Sequence, residues 1–269
     1  MMSPAKSLSS FFLLTFTWSW SCWLLVPVVK AKAESDYPSN ALFFLGGFGP
    51  SLVAIALVAI SSRRTGLRAW LQRCLTWQGK PGWLVLAFLS PLAVLTLAAA
   101  THIARGGSVP PSPAIGHIGL FIGNFFLVFL VGGPLGEELG WRGFALPVMQ
   151  ARLGWRAASL ALGVVWGVWH LPLFFILESA QNSGSMAAFF VLIVATSVFY
   201  AWLYQRSNAS VLPALALHTA SNSWPMLVPV LPSDADQRPY LFVVSLVVAS
   251  AIWLLARRDD SPPVKGIPV

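Results

Sequence analysis

Charge is scarce in this sequence. Only 10% of its 269 residues are Asp, Glu, Lys or Arg, and only nine are acidic. A soluble domain carries about 25% charged residues, so an ordinary water-soluble globule is excluded. Cysteine is nearly absent as well: Cys22 and Cys74 stand alone in different segments, without the spacing of a metal site or a disulfide framework. The chain also lacks a His-Glu-x-x-His zinc signature, a long linker and an internal repeat.

What is abundant is apolar, at 57% of residues. Runs of roughly 18 or more apolar residues mark candidate membrane spans. About eight occur, near residues 11–29, 41–60, 83–100, 115–133, 157–177, 186–204, 210–231 and 240–256. The expected fold is therefore all-α, a polytopic transmembrane bundle of about eight spans forming one integral membrane domain over residues 1–269. Lys6, the first run and Ala31-Lys32-Ala33 also admit a signal peptide. That run is longer than the ~7–15 residues usual for one, and a retained helix is expected.

A net charge of +8 raises the question of nucleic acid, but its distribution answers a different one. Thirteen of the 17 basic residues fall in one set of alternating loops, at Lys6, at Arg63 to Lys80, at Arg142 to Arg156, at Arg206 and at Arg257 to Lys265. The opposite set holds Lys30, Lys32, Arg105 and Arg238, along with the acidic Glu34, Asp36, Glu178, Asp234 and Asp236. Positive loops favour the cytoplasm, so both termini are expected there, with the bilayer rather than nucleic acid as partner. Between the second and third runs, Leu67, Trp70, Leu71 and Cys74 recur at helical spacing among Arg64, Arg68 and Arg73. This reads either as a short helix on the cytoplasmic membrane surface, its apolar face in lipid, or as a connecting loop.

Ionisable residues inside apolar runs are expensive, by at least ~2.5–3.5 kcal/mol each at the bilayer centre, and are functional candidates by default. Glu137, Glu138 and Arg142 end the fourth run, His170 lies in the fifth, and His218 and Asn222 lie in the seventh. At 1.5 Å per residue, His170 sits about 20 Å and His218 about 12 Å along runs that start on the cytoplasmic side, so all can face one cavity.

Glu138 and Arg142 are four apart and share a helix face. Glu137, offset by about 100°, is left free to act as a base, while Gly133 and Gly140 leave its face open to a helix or substrate. Trp166 and His170 share a face thinned by Gly163 and Gly167, and Pro172 should free backbone carbonyls beside His170. His218 and Asn222 project together and suit donation to a developing negative charge. Each motif alone is matched by a bland reading: an arginine-paired acidic helix end, an interhelical histidine, a polar seam.

In this order on successive apolar helices, the Glu-Glu-x-x-x-Arg, aromatic-x-x-x-His and His-x-x-x-Asn series resembles the family of CAAX proteases and bacteriocin-processing enzymes, which includes type II CAAX prenyl protease. The motif-bearing core covers about residues 118–226. The resemblance implies a glutamate-dependent intramembrane endopeptidase acting on a membrane-associated protein or peptide, without a cofactor. Glu137 with His170 would activate water, His218 and Asn222 would stabilise the oxyanion, and Glu138 and Arg142 would support the assembly. Trp166 stands where the family more often has phenylalanine, a change expected to reshape the pocket and leave the chemistry intact. The short chain, rich in Ala and Leu, reads as a protein of a prokaryotic cytoplasmic membrane, which weakens the expectation of a prenylated substrate. Two other classes stay open: a zinc protease with Glu137, His170 and His218 as ligands, and a transporter or scaffold using the same residues as a relay.

Overall fold

The computed structural model describes residues 4–33, 35–77, 79–177, 179–230 and 236–257. Glu34, Glu178, Asp234, Arg258 and Lys265, used above for orientation, lie outside the described residues, as do the side chains of Lys6, Arg63 and Arg64. Among the described residues there are helices and no strands. They are α1 (Pro4–Lys30), α2 (Tyr37–Gly47), α3 (Gly49–Leu75), α4 (Gly82–Ala104), α5 (Ile118–Val131), α6 (Pro134–Gly140), α7 (Leu146–Trp169), α8 (Met186–Arg206), α9 (Leu212–Ser223) and α10 (Arg238–Ala256).

The all-α polytopic fold holds, and the span count changes. Five helical runs of the described residues are long and apolar enough to cross a membrane, or six if the bent pair of α2 and the start of α3 is one span. One of the five, Ile118–Phe175, holds both the fourth and the fifth expected spans. The count falls there, where two expected spans form one run, and again at the seventh expected span. Only Leu212–Ser223 of it is α-helix, 12 residues, or about 18 Å against a hydrocarbon core of ~30 Å. An apolar run measures hydropathy and not helix length, and the polar stretch after His218 with Pro225 ends this helix early. Buried among α4, α5, α6 and α8, α9 has no need to span.

Breaks in the helices follow from proline and glycine. The 54° bend between α2 and α3 falls at Gly47-Phe48-Gly49-Pro50, where Pro50 has no N–H for the carbonyl one turn back. Between α6 and α7 the helix widens into one π turn, Trp141–Ala145, and the Leu146 N–H reaches the Trp141 carbonyl. Pro147 cannot donate to the Gly143 carbonyl, which accepts instead from Trp70 Nε1 at 3.0 Å. Within α7, Gly154 (φ 72°, ψ 163°) interrupts the helical geometry, a conformation that a Cβ would strain. Pro172 stops α7, and residues Leu171–Phe175 continue as 3-10 helix.

The amphipathic segment of residues 67–74 is neither a separate surface helix nor a loop. It is the end of α3, unbroken from Gly49, and its apolar side meets protein rather than lipid: Trp70 and Cys74 are buried against the π turn. Two aromatic side chains tie α1 to the motif segments. Phe11 packs on Trp141 and Phe144 (centroids 5.6 and 5.0 Å), and Trp23 on Trp169 (4.6 Å). Large apolar side chains such as Leu13, Ile60, Leu127 and Ile252 are exposed, as on a surface solvated by lipid.

Candidate functional site

The site begins at a break. Gly132 and Gly133 separate α5 from α6, and Gly133 has φ 108°, a left-handed conformation that glycine tolerates and other residues resist. Pro134 then starts α6 with its fixed φ. Glu137 and Glu138 sit in the middle of this short helix, and both are buried, at 4% and 0% exposure. An acidic helix end at the surface is thereby excluded. The two glycines flanking Glu137 do different work. A Cβ on Gly140 would strike the Pro50 carbonyl of α3, so Gly140 lets two helices touch. A Cβ on Gly133 would sit 2.8 Å from Glu137 Oε1 and 3.3 Å from His218 Nε2, so Gly133 keeps the space between those two side chains open.

As helix geometry requires, Glu138 and Arg142 pair at 3.0 Å. A third partner arrives from α9: His218 Nδ1 lies 2.7 Å from the same Glu138 oxygen. A carboxylate only accepts, so Nδ1 carries a proton, and Nε2 is the nitrogen left facing Glu137. The Arg142 guanidinium sits in the corner of two rings set edge-to-face, 4.2 Å from Trp166 and 4.0 Å from Tyr200.

Glu137 takes its own partners. Its Oε2 accepts from Trp166 Nε1 at 2.6 Å and from Trp141 Nε1 at 3.3 Å, while Oε1 is the oxygen toward Gly133. Arg142 thus balances Glu138, and Glu137 has neutral donors on one oxygen and an imidazole across a gap from the other. Arg142 Nε and Nη2 and Glu138 Oε2 are buried without a protein partner. Unmatched buried groups cost about 1–3 kcal/mol each, so stability alone would not select this cluster.

His170 and Asn222 stand at its margins. His170 closes α7, and its Nδ1 donates to the Trp166 carbonyl at 2.8 Å, while Trp20 Nε1 donates to the Trp169 carbonyl at 3.0 Å; these are carbonyls of the turns that Pro172 disrupts. Its ring packs on Trp169 and Phe189 (4.8 and 5.2 Å). Trp166 is what His170 and Glu137 share, giving its carbonyl to His170 and its indole N–H to Glu137. Asn222 is exposed and donates to the Gly132 carbonyl at 3.2 Å, so it and His218 leave one helix face toward different partners. The zinc alternative needs Glu137, His170 and His218 to converge, and among the described residues no three His, Cys, Asp or Glu side chains are arranged to hold a metal.

Three members of the cluster escaped the sequence reading in whole or in part. Trp141, four residues after Glu137, was available from i,i+4 spacing. Trp166 was singled out for its motif but not as a donor to Glu137. Tyr200 gave no signal, since it is one aromatic among many in an apolar helix.

Comparisons with known proteins agree with the motifs. Residues 119–224 match the family described as Type II CAAX prenyl endopeptidase Rce1-like. A protein from Methanococcus maripaludis named CAAX prenyl protease 2 is 25% identical over 222 residues, covering 79% of this chain and 81% of that protein. Together with the apolar helices, the match makes this an integral membrane protein whose motif-bearing segment resembles CAAX proteases.

Proposed function

From the match of residues 119–224 to the type II CAAX prenyl endopeptidases, we propose that this chain is an intramembrane endopeptidase that cleaves a membrane-associated protein or peptide with Glu137 as the base. One observation carries the reading: a buried carboxylate held through Oε2 by a 2.6 Å indole bond, its other oxygen separated from His218 Nε2 by the space Gly133 leaves. A water in that space attacks the scissile carbonyl carbon. As the new C–O bond forms, its proton passes to Glu137 Oε1. In its doubly protonated form, with Nδ1 held by Glu138, His218 donates from Nε2 to the oxyanion, with Asn222 Nδ2 as second donor. Collapse breaks the C–N bond, and the leaving amine takes the proton from Glu137. His170, its Nδ1 committed to the Trp166 carbonyl, offers Nε2 as an acceptor to the same water. Glu138 and Arg142 hold His218 in place.

The test is quantitative terminal proteomics of membranes from cells expressing the wild type or Glu137→Gln at equal levels. In parallel, the purified proteins are assayed in liposomes on prenylated and unprenylated CAAX-type peptides. New termini from the wild type alone, with a rate loss of about 100- to 10,000-fold in the variant, support the reading. Equal activity of the two proteins overturns it.

A further inference from the structure

The two acidic side chains of this site are adjacent in sequence, yet they must remain electrically distinct, one paired and one able to accept a proton. The geometry points to Trp166 as the residue that enforces the distinction: we infer that it is a positioning residue for Glu137, acting through its indole N–H, and that phenylalanine cannot replace it. The inference rests on the endopeptidase reading above.

Trp166 touches both halves of the site through different parts of one ring system. Its Nε1–H donates to Glu137 Oε2 at 2.6 Å, short even for a hydrogen bond to a charged acceptor. Its π face lies 4.2 Å from the Arg142 guanidinium, and Tyr200, edge-to-face with Trp166, adds a second ring at 4.0 Å. Between them these rings hold the guanidinium where it serves Glu138 at 3.0 Å. Trp166 is itself 4% exposed, so no solvent competes for its N–H. Its backbone is tied too, since its carbonyl accepts from His170 Nδ1.

A free carboxylate rotates about its last bond and presents either oxygen. Anchoring Oε2 leaves Oε1 aimed at the gap beside Gly133, where a base would meet its water. Trp141 cannot do this alone: its donor is 3.3 Å from the same oxygen, long for a hydrogen bond to a carboxylate. Phenylalanine would keep a π face for Arg142 and supply no donor.

The experiment uses the full-length protein in liposomes with whichever peptide the wild type cleaves. Trp166 is replaced by benzothienylalanine, which keeps the bicyclic shape and substitutes sulfur for the N–H, and separately by phenylalanine. The expected result is a fall in kcat of about 10- to 100-fold in both, with KM within about twofold and the melting temperature of the benzothienylalanine protein unchanged; inserting tryptophan by the same suppression route restores the rate. A second readout needs no substrate. In ¹H–¹⁵N spectra of tryptophan-labelled protein, the Trp166 indole proton should resonate well downfield and move upfield in Glu137→Leu. Full activity of the benzothienylalanine protein alongside an inactive Glu137→Gln overturns this inference and leaves the endopeptidase reading intact. Full activity of Glu137→Gln overturns both. An indole signal indifferent to Glu137→Leu overturns the hydrogen bond on which the inference is built.

Discussion

Along the seam of α7 and α8, two helices approach on their smallest residues. A few residues away, α6 and α9 meet through a carboxylate, a guanidinium and an imidazole. At the seam, a Cβ on Gly163 would come within 2.8 Å of the Val194 backbone, and one on Gly167 within 3.0 Å of the Phe190 ring. Ser197 Oγ donates to the Ser159 carbonyl at 2.9 Å. Lipid gives apolar helices little reason to associate, so close packing and a few hydrogen bonds must hold them. The α6–α9 contact, by contrast, buries Glu137, Glu138, Arg142 and His218 and leaves several of their atoms unmatched. One contact is built for stability. The other accepts a loss of stability for an arrangement of charge.

That contrast can be broken in graded steps. The largest effect is expected from Arg142→Met, which leaves Glu138 as a buried carboxylate with only His218 opposite it. Removing one partner of such a pair costs about 3–5 kcal/mol, and thermal unfolding in detergent should show a large fall in midpoint together with loss of activity. Gly163→Leu comes next. Overpacking against Val194 should cost about 1–3 kcal/mol, read in the same assay, while kcat per folded molecule stays near wild type. A rate that fell with it would mean the seam and the site are one unit. Smallest in stability is Gly133→Ala, where the strain of a left-handed alanine is about 1–2 kcal/mol. Its methyl group nevertheless enters the space between Glu137 and His218, so activity should be lost while most of the protein remains folded. Retained activity would remove that space from the mechanism.

Contacts within one helical turn were legible from residue spacing. The Glu138–Arg142 pair follows from four-residue separation and forms at 3.0 Å, and the thinning of α7 by Gly163 and Gly167 is realised against α8. Two other local patterns left their outcome to the packing. His218 and Asn222 share a face yet choose different partners, because a face spans enough arc for one side chain to point inward and its neighbour to reach the rim. The seventh apolar run has the hydropathy of a full span, while its helix is only 12 residues long.

What the chain determined by itself was its class, its succession of apolar helices and the i,i+4 pairs along them, since composition and the 3.6-residue turn suffice for those. Tertiary structure alone decided which motifs meet. His218 reaches Glu138 across 80 residues, Trp166 reaches Glu137 across 29, and Tyr200 adds the second ring on Arg142. Each of these depends on how far one helix is rotated and shifted along its neighbour. Periodicity marks a helix's apolar face and leaves that rotation and register to the packing of the whole bundle.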